Sequence, residues 1–184
     1  MDIRNSEYRF SPLVIGLHWL TVLLIIAVYA SMELRGVAPK GSALRDAMKS
    51  LHYLLGLSVL VIVVIRIGVR IQAGVKPAIQ PPMPRWQATL ADGMHYALYS
   101  FMLAMPLLGW LTLSAAGKPI VLFGLPIPSL IGTDVALSRQ LKDVHEALAT
   151  LGYVLIGLHA MAALLHHYVM RDNTLVRMLP GRRP

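Results

Sequence analysis

Four long apolar blocks, separated by short charged segments, make up most of the chain. None of them contains Asp, Glu, Lys or Arg, and they cover residues 13–30, 51–65, 94–116 and 147–170. A helix needs about 20 such residues to cross a hydrocarbon core of roughly 30 Å. The blocks therefore predict membrane-spanning helices rather than the alternating faces of a soluble domain.

This pattern indicates an all-α fold, an integral membrane four-helix bundle in one domain over residues 1–184. The predicted helices cover approximately residues 12–33, 46–71, 90–116 and 141–171. The first could instead be a cleaved signal peptide. Its apolar block of 18 residues exceeds the usual roughly 7 to 15, and no A-x-A cleavage site follows. We therefore interpret it as a helix of the bundle.

A fifth apolar stretch, residues 117–132, differs from the other four in its prolines. Pro119, Pro126 and Pro128 interrupt it, and proline in a helix interior removes a hydrogen bond and clashes with the preceding turn. We predict a loop that lies at the membrane interface.

The composition agrees with a membrane protein and limits the chemistry. Of 184 residues, 56% are hydrophobic and 14% charged, and the mean hydropathy is +0.61. The chain has no cysteine, which excludes disulfides, iron–sulfur ligation and covalent attachment of c-type haem. The net charge of +8 does not indicate nucleic-acid binding, because the cations lie in segments that flank the apolar blocks.

Lys and Arg in the connecting segments indicate the orientation, because cytoplasmic loops carry more of them. The two ends of the chain and the second loop together hold 10: Arg4, Arg9, Arg66, Arg70, Lys76, Arg85, Arg171, Arg177, Arg182 and Arg183. The first and third loops together hold 7: Arg35, Lys40, Arg45, Lys49, Lys118, Arg139 and Lys142. Both termini are therefore predicted to be cytoplasmic.

With this topology, four histidines fall into two layers. His52 and His145 lie toward the outer face, and His18 and His159 lie toward the cytoplasm. Positions 145 and 159 are 14 residues apart on the fourth helix, so they share one face at a separation of about 21 Å. That is too far for one metal ion, but it suits two planar cofactors, each held between two imidazoles as in bis-histidine haem. A lone intramembrane histidine is more often a hydrogen-bonded core residue, whereas pairing by depth favours ligands.

Three further residues near the inner layer have two interpretations each. His95 lies near the cytoplasmic end of the third helix and could bond a haem propionate or pack against a neighbouring helix. Arg66 and Arg70 end the second helix on the inner side. They could pair with haem propionates or extend toward lipid headgroups.

Four segments carry a specific likeness to known proteins. They are HW at 18–19, MELRG at 32–36, DVHEALATLGYVLIGLHAMAALLHHY at 143–168 and RDNTLVRMLP at 171–180. The chain resembles, over nearly its whole length, the bacterial di-haem cytochrome b561 family, and within it the superoxide oxidases most closely. The resemblance implies two non-covalent b haems in the bundle. It assigns His52 and His145 to the outer haem iron and His18 and His159 to the inner one.

The resemblance also implies a function and a location. It implies a multi-pass enzyme of the bacterial inner membrane, a superoxide:ubiquinone oxidoreductase that oxidises superoxide to dioxygen at the periplasmic side and passes electrons through both haems to ubiquinone. The alternative is a relay subunit, a membrane cytochrome b that links a separate redox partner protein to the quinone pool. Membrane lipid, quinone and superoxide are the expected partners, and nucleic acid is not.

Three residues are candidates for the quinone site. His166 lies seven residues beyond His159, which keeps it on nearly the same face, about two turns closer to the cytoplasm. It could bond a quinone carbonyl and exchange a proton, or simply anchor the end of the helix. Arg9 and Trp19 are secondary candidates for the same pocket.

Cations precede both histidines of the outer layer. Arg45 and Lys49 precede His52, and Arg139 and Lys142 precede His145: these four are the candidates for steering superoxide, a small anion, to the haem edge. Such steering raises association rates by roughly 10- to 1,000-fold. The alternative is that they are ordinary solvated loop residues in contact with anionic lipid.

Overall fold

The computed structural model describes residues 3–181, so that Arg182 and Arg183, counted above among the C-terminal cations, lie outside the described residues. The helices are α1 (Pro12–Leu34), α2 (Ala43–Gln72), α3 (Arg85–Ala115) and α4 (Val135–Leu165). A π-helical turn (His166–Met170) continues α4, and a short 3-10 turn follows (Val176–Met178). Strands β1 (Ile120–Leu122) and β2 (Leu125–Ile127) lie between α3 and α4.

The predicted fold class, a membrane four-helix bundle, is confirmed. All four helices are long and apolar enough to cross a bilayer. Large apolar side chains in the spans point away from the protein, as Leu23 and Met161 do with exposed fractions of 63% and 65%. In a bilayer such side chains contact lipid, which is as apolar as they are.

Three helices begin earlier than the apolar blocks predicted. α2 begins at Ala43 rather than 46, α3 at Arg85 rather than 90, and α4 at Val135 rather than 141. Asp134 caps α4, because its Oδ1 accepts from the backbone N of Leu137 at 3.0 Å. Such a cap satisfies one of the unpaired donors of the first turn. The predicted starts followed hydropathy, whereas the helices continue into polar turns beyond the apolar blocks, with the start of α4 capped by Asp134.

The predicted loop over residues 117–132 is wrong in part, because it contains an antiparallel β-hairpin. Ile120 pairs with Ile127 and Val121 pairs with Pro126. The two turn residues, Phe123 and Gly124, have φ of 50° and 83°, the positive values that a two-residue hairpin turn requires. Both strands of a two-stranded ribbon are edges, so a proline is tolerated in one of them.

The chain folds as two compact units, and each takes a stretch from all four helices. In the described part of the chain, the terminal unit contains residues 3–20, 64–101 and 151–181. The hairpin unit contains the β-hairpin: Thr21–Val63 and Met102–Thr150.

The hairpin unit has a small apolar core next to the hairpin. Leu57, Leu113 and Ile120 are its buried members. The indole Nε1 of Trp110 donates to the carbonyl of Pro128 at 3.0 Å and so ties α3 to the segment after β2. This packing explains why a proline-rich apolar stretch folds back on the helix ends.

The terminal unit joins the N-terminal segment, the loop after α2 and the C-terminal tail by hydrogen bonds. The backbone N of Asn5 donates to the carbonyl of Ala73 at 3.0 Å, and the N of Asn173 donates to the carbonyl of Gln80 at 3.1 Å. The tail after α4 is therefore a fixed part of this unit.

Candidate functional site

In the hairpin unit, His52 of α2 and His145 of α4 face each other. Their ring centroids are 6.2 Å apart, and the ring planes are inclined by 77°. The Nδ1 of His52 lies 3.2 Å from the carbonyl oxygen of Val28 on α1. A carbonyl only accepts, so Nδ1 carries the proton and the lone pair of Nε2 is available to a metal ion.

The space around this pair suits a flat ligand. The Nδ1 of His145 is buried and has no hydrogen-bond partner within the described residues. A Cβ built at Gly56, one helical turn after His52, would meet no atom within 4 Å. The pair therefore combines an available ring nitrogen with open space beside the helix.

In the terminal unit, three imidazoles form a cluster. His18 of α1 and His159 of α4 have centroids 6.5 Å apart at 66° between planes. His95 of α3 lies closer to His159, at 5.4 Å. The Nδ1 of His95 donates to the carbonyl of Ala91, one turn earlier, at 2.6 Å. The structure thus places His95 beside His159 and bonds it to its own helix.

Both predicted histidine pairs have the spacing of two ligands on one iron. A metal–imidazole bond is about 2.0 Å long and a ring centroid lies about 1.1 Å behind its nitrogen, so two imidazoles on opposite sides of a metal ion have centroids about 6.2 Å apart. The observed separations are 6.2 Å for His52 and His145 and 6.5 Å for His18 and His159. The donor set is neutral nitrogen, as bis-histidine haem requires. The residues present therefore fit b haem.

Arg66 and Arg70 of α2, the candidate propionate partners, lie against one aromatic ring. Their guanidinium carbons are 5.4 Å and 5.5 Å from the centroid of Tyr99 on α3. This distance is typical of cation–π contacts. Tyr99 is not among the site residues predicted from the sequence. An aromatic residue at the depth of the two arginines is the signal that could have suggested it.

Arg66 also contacts one of the candidate ligands. Its Nη2 donates to the Nδ1 of His18 at 3.1 Å. Because guanidinium has no acceptor, Nδ1 is unprotonated in this arrangement and the ring proton is on Nε2. Binding of iron through Nε2 would therefore require Arg66 to turn away from His18, toward an acceptor such as a propionate.

The quinone candidates do not all lie in one pocket. Arg9 and Trp19 line a cavity of about 240 Å³, whose other walls include Phe10, Ile15 and Gly16. Their polar groups bond the tail, since Trp19 Nε1 donates to the carbonyl of Met178 at 2.7 Å and Arg9 Nη2 donates to that of Leu179. Among the described residues, those that line this cavity do not include His166.

His166 instead pairs with an acid that was not predicted from the sequence. Its Nδ1 lies 2.5 Å from Oδ2 of Asp172. Burial raises the pKa of the Asp172 carboxyl, but hydrogen bonds from His166 and Thr174 outweigh burial and hold that pKa below its ordinary value. The sequence does hint at this acid, because the charged segment RDN at 171–173 directly follows an apolar helix.

The four candidate steering cations differ in their surroundings. Lys49 and Lys142 form ion pairs with the nearby acids Asp46 and Glu146, at 2.7 Å and 2.8 Å. Arg45 donates from Nη1 to the carbonyls of Arg35 and Ala38, at 3.2 Å and 3.0 Å, and so closes the loop between α1 and α2. Exposed surface ion pairs are largely neutral toward a distant anion.

Arg139 is the exception within the described residues. It is exposed, and its guanidinium makes no hydrogen bond or ion pair there. It lies on the first turns of α4, six residues before His145. Of the four cations, Arg139 therefore presents its charge to solvent most directly.

Comparison with known proteins identifies the family of the chain. The family model described as "Prokaryotic cytochrome b561" matches residues 9–181. Over 175 residues the chain is 41% identical to "Cytochrome b561 homolog 1" of Escherichia coli (strain K12), covering 95% of this chain and 99% of that protein. It is 39% identical over 175 residues to "Probable superoxide oxidase CybB" of Yersinia pestis, covering 95% and 98%. A second Escherichia coli relative, "Cytochrome b561 homolog 2", is 28% identical over 180 residues, covering 97% and 95%. The chain therefore belongs to the prokaryotic cytochrome b561 family, a family of b-type haem proteins that transfer electrons in bacterial membranes.

Proposed function

We propose that the chain is a superoxide:ubiquinone oxidoreductase of the bacterial inner membrane. In the balanced reaction, two superoxide anions, one ubiquinone and two protons give two dioxygen molecules and one ubiquinol. The observation that carries the proposal is the pair of histidine couples, whose ring centroids are 6.2 Å and 6.5 Å apart. The superoxide substrate is supported by the relative named a probable superoxide oxidase, at 39% identity over 95% of this chain.

The two couples are assigned one b haem each. His52 and His145 hold one haem, and His18 and His159 hold the other. When bound, the haems supply one-electron redox couples between the two half-reactions. The Val28 carbonyl, which accepts from Nδ1 of His52, fixes the tautomer and the orientation of that ligand. Arg66 and Arg70, held against Tyr99, provide cations for haem propionates in the terminal unit.

The superoxide end is assigned to the hairpin unit, and both chain termini to the cytoplasm. Superoxide is an anion, and Arg139 offers an exposed guanidinium on the same helix as His145. The charges of Lys49 and Lys142 are offset by their acid partners. Arg45 acts mainly on the fold of its loop, so Arg139 contributes most of the attraction.

The ubiquinone end is assigned to the terminal unit, with His166 as the group that contacts a quinone carbonyl. Its imidazole is largely shielded, with 15% of the side chain exposed, and it can exchange a proton with the reduced ring. Arg9 and Trp19 hold the tail through its carbonyls and line a separate cavity in the same unit.

The direct test is turnover by the purified chain alone. The haem-loaded protein in detergent is given an enzymatic source of superoxide and a short-chain ubiquinone, and quinol is followed by its absorbance. We expect the wild-type chain to form quinol. Superoxide dismutase should abolish this activity, and the His52→Ala variant should lack it. Quinone reduction only after a copurifying redox protein is added would instead establish the relay subunit and overturn the proposal.

A further inference from the structure

We propose that Asp172 is the positioning residue for His166. Its carboxylate accepts a hydrogen bond from Nδ1 of His166 and so directs Nε2 to the quinone oxygen. It also stabilises the imidazole ring while the ring is charged. This inference rests on the proposed quinone role of His166. A histidine that merely anchored a helix end would need no buried acid.

The two side chains form a shielded pair. Nδ1 of His166 and Oδ2 of Asp172 are 2.5 Å apart, and 15% and 5% of the respective side chains are exposed. An ionised carboxylate only accepts, so His166 donates from Nδ1 and Nε2 is left as the exchanging nitrogen. A carboxylate behind a functional histidine is a common way to fix its tautomer and orientation.

The backbone is bent so that the acid reaches the ring. Arg171, which follows the π-helical turn, has a left-handed conformation with φ of 55°. This reversal returns the chain toward α4, and the backbone N of Asp172 donates to the carbonyl of His166 at 3.1 Å. A positive φ costs free energy in a residue other than glycine, and here it brings Asp172 onto His166.

The carboxylate is fixed through its second oxygen as well. Oδ1 of Asp172 accepts from the backbone N of Thr174 at 2.8 Å. The next residue, Asn173, binds the loop after α2, donating from Nδ2 to the carbonyl of Ala78 at 3.2 Å and accepting on Oδ1 from the N of Gln80 at 2.9 Å. Arg177 lies within electrostatic range of the acid. The bond from Thr174 fixes the orientation of the acid, so that its other oxygen points at His166. Asn173 ties the tail to the loop after α2 without contacting the carboxylate.

The proton transfer balances with this pair. His166 carrying both ring protons faces the Asp172 carboxylate as an ion pair. As the two electrons from superoxide reach ubiquinone, the Nε2–H bond breaks and an O–H bond forms on the quinone. The ring is left neutral, with its Nδ1 proton still covalently bound to the ring and hydrogen-bonded to the Asp172 carboxylate. One of the two protons of ubiquinol thus comes from His166 and the other from cytoplasmic water, which also reprotonates His166.

The test compares Asp172→Asn, His166→Leu and their double variant in the full haem-loaded chain. Asparagine keeps the shape and the bond from Thr174 but loses the charge. We expect kcat for quinone reduction to fall about 10- to 100-fold, with KM for ubiquinone, the haem spectra and haem reduction by superoxide unchanged. Because both residues act in one step, adding Asp172→Asn to His166→Leu should have no further effect. Asn173→Ala, which loosens the tail without touching the carboxylate, is the matched control and should keep the wild-type kcat.

Each outcome has a separate meaning. Wild-type turnover in His166→Leu would refute the proposed quinone role of His166 itself. If His166→Leu is slow but Asp172→Asn keeps the wild-type kcat, only the positioning role of Asp172 is overturned. A loss of kcat in Asn173→Ala as large as that in Asp172→Asn would also overturn this role alone. If Asp172→Asn loses haem, the decision passes to ¹⁵N spectra of the wild-type imidazole, assigned by comparison with His166→Gln. A proton on Nδ1 supports the proposal, and a neutral ring protonated on Nε2 overturns it.

Discussion

The imidazole of His145 on α4 lies against the backbone of Gly109 on α3. A Cβ built at position 109 would stand 3.4 Å from Cε1 and 3.8 Å from Nδ1 of His145. Such distances are ordinary van der Waals contacts, so a methyl group fits, whereas a longer side chain would occupy the place of the ring. A glycine on one helix therefore sets the position of a proposed ligand on another.

This contact predicts a size limit at position 109. Gly109→Ala should keep two b haems per chain, because its methyl group meets the ring at contact distance. Gly109→Leu should displace His145 and leave one haem, as measured by pyridine haemochrome analysis against protein concentration. A leucine variant with the full haem content would show that His145 is not held by this contact.

The ligand assignment predicts which histidines are needed for haem. The wild-type chain should contain two b haems, and alanine at 18, 52, 145 or 159 should each remove one low-spin haem from the absorption spectrum. His95→Ala should retain both, because His95 donates to its own helix at Ala91. Two low-spin haems in any of the four single variants would contradict the assignment.

The charge distribution predicts that one cation matters most for superoxide. Arg139→Gln should slow haem reduction by superoxide at low salt and flatten its ionic-strength dependence, since steering is screened by salt. The double variant Lys142→Gln with Glu146→Gln removes an ion pair without changing the net charge and is the matched control. A wild-type rate that does not vary with salt would show that charge does not guide the substrate.

The environment of Asp172 predicts that the C-terminal tail, residues 171–178, loses stability in acid. Burial raises the pKa of its carboxyl, but hydrogen bonds from His166 and Thr174 lower it by more, so the folded chain favours the ionised form. The resulting stabilisation is fully present above the unfolded pKa of about 3.9 and is lost as pH falls through the lower folded value. Hydrogen exchange of residues 171–178, corrected for intrinsic rates, should rise in that acid range. Asp172→Asn should abolish this rise, and an unchanged rise in the variant would assign it to another group.

Much of the architecture could be predicted because one physical cause determines it. An uncharged block of helical length must span a bilayer, and such blocks gave the number of helices. The early start of α4 could not be found this way, because its cap, Asp134, lies in a polar segment before the apolar block. The β-hairpin was missed because the prolines of residues 117–132 argue against a helix but not against a short hairpin, whose turn is formed by Phe123 and Gly124.

The candidate site could likewise be predicted only in part. The pairing of His52 with His145 and of His18 with His159 follows from depth alone, and the structure brings each pair together. Contacts that depend on a chain reversal could not be predicted. Asp172 meets His166 only because Arg171 turns the backbone back. The ion pairs of Lys49 with Asp46 and of Lys142 with Glu146 are different, because residues three or four apart on a helix are neighbours.

The most direct test of the central claim is to count the electrons that superoxide delivers to the purified chain when no quinone is present. Rapid mixing with excess superoxide, followed in the haem absorption bands, should reduce two haems per wild-type chain without any partner protein. His18→Ala should accept one electron only. The contradicting result is a haem spectrum that stays fully oxidised after mixing, although a small neutral donor does reduce the same protein. It would show that this chain does not oxidise superoxide.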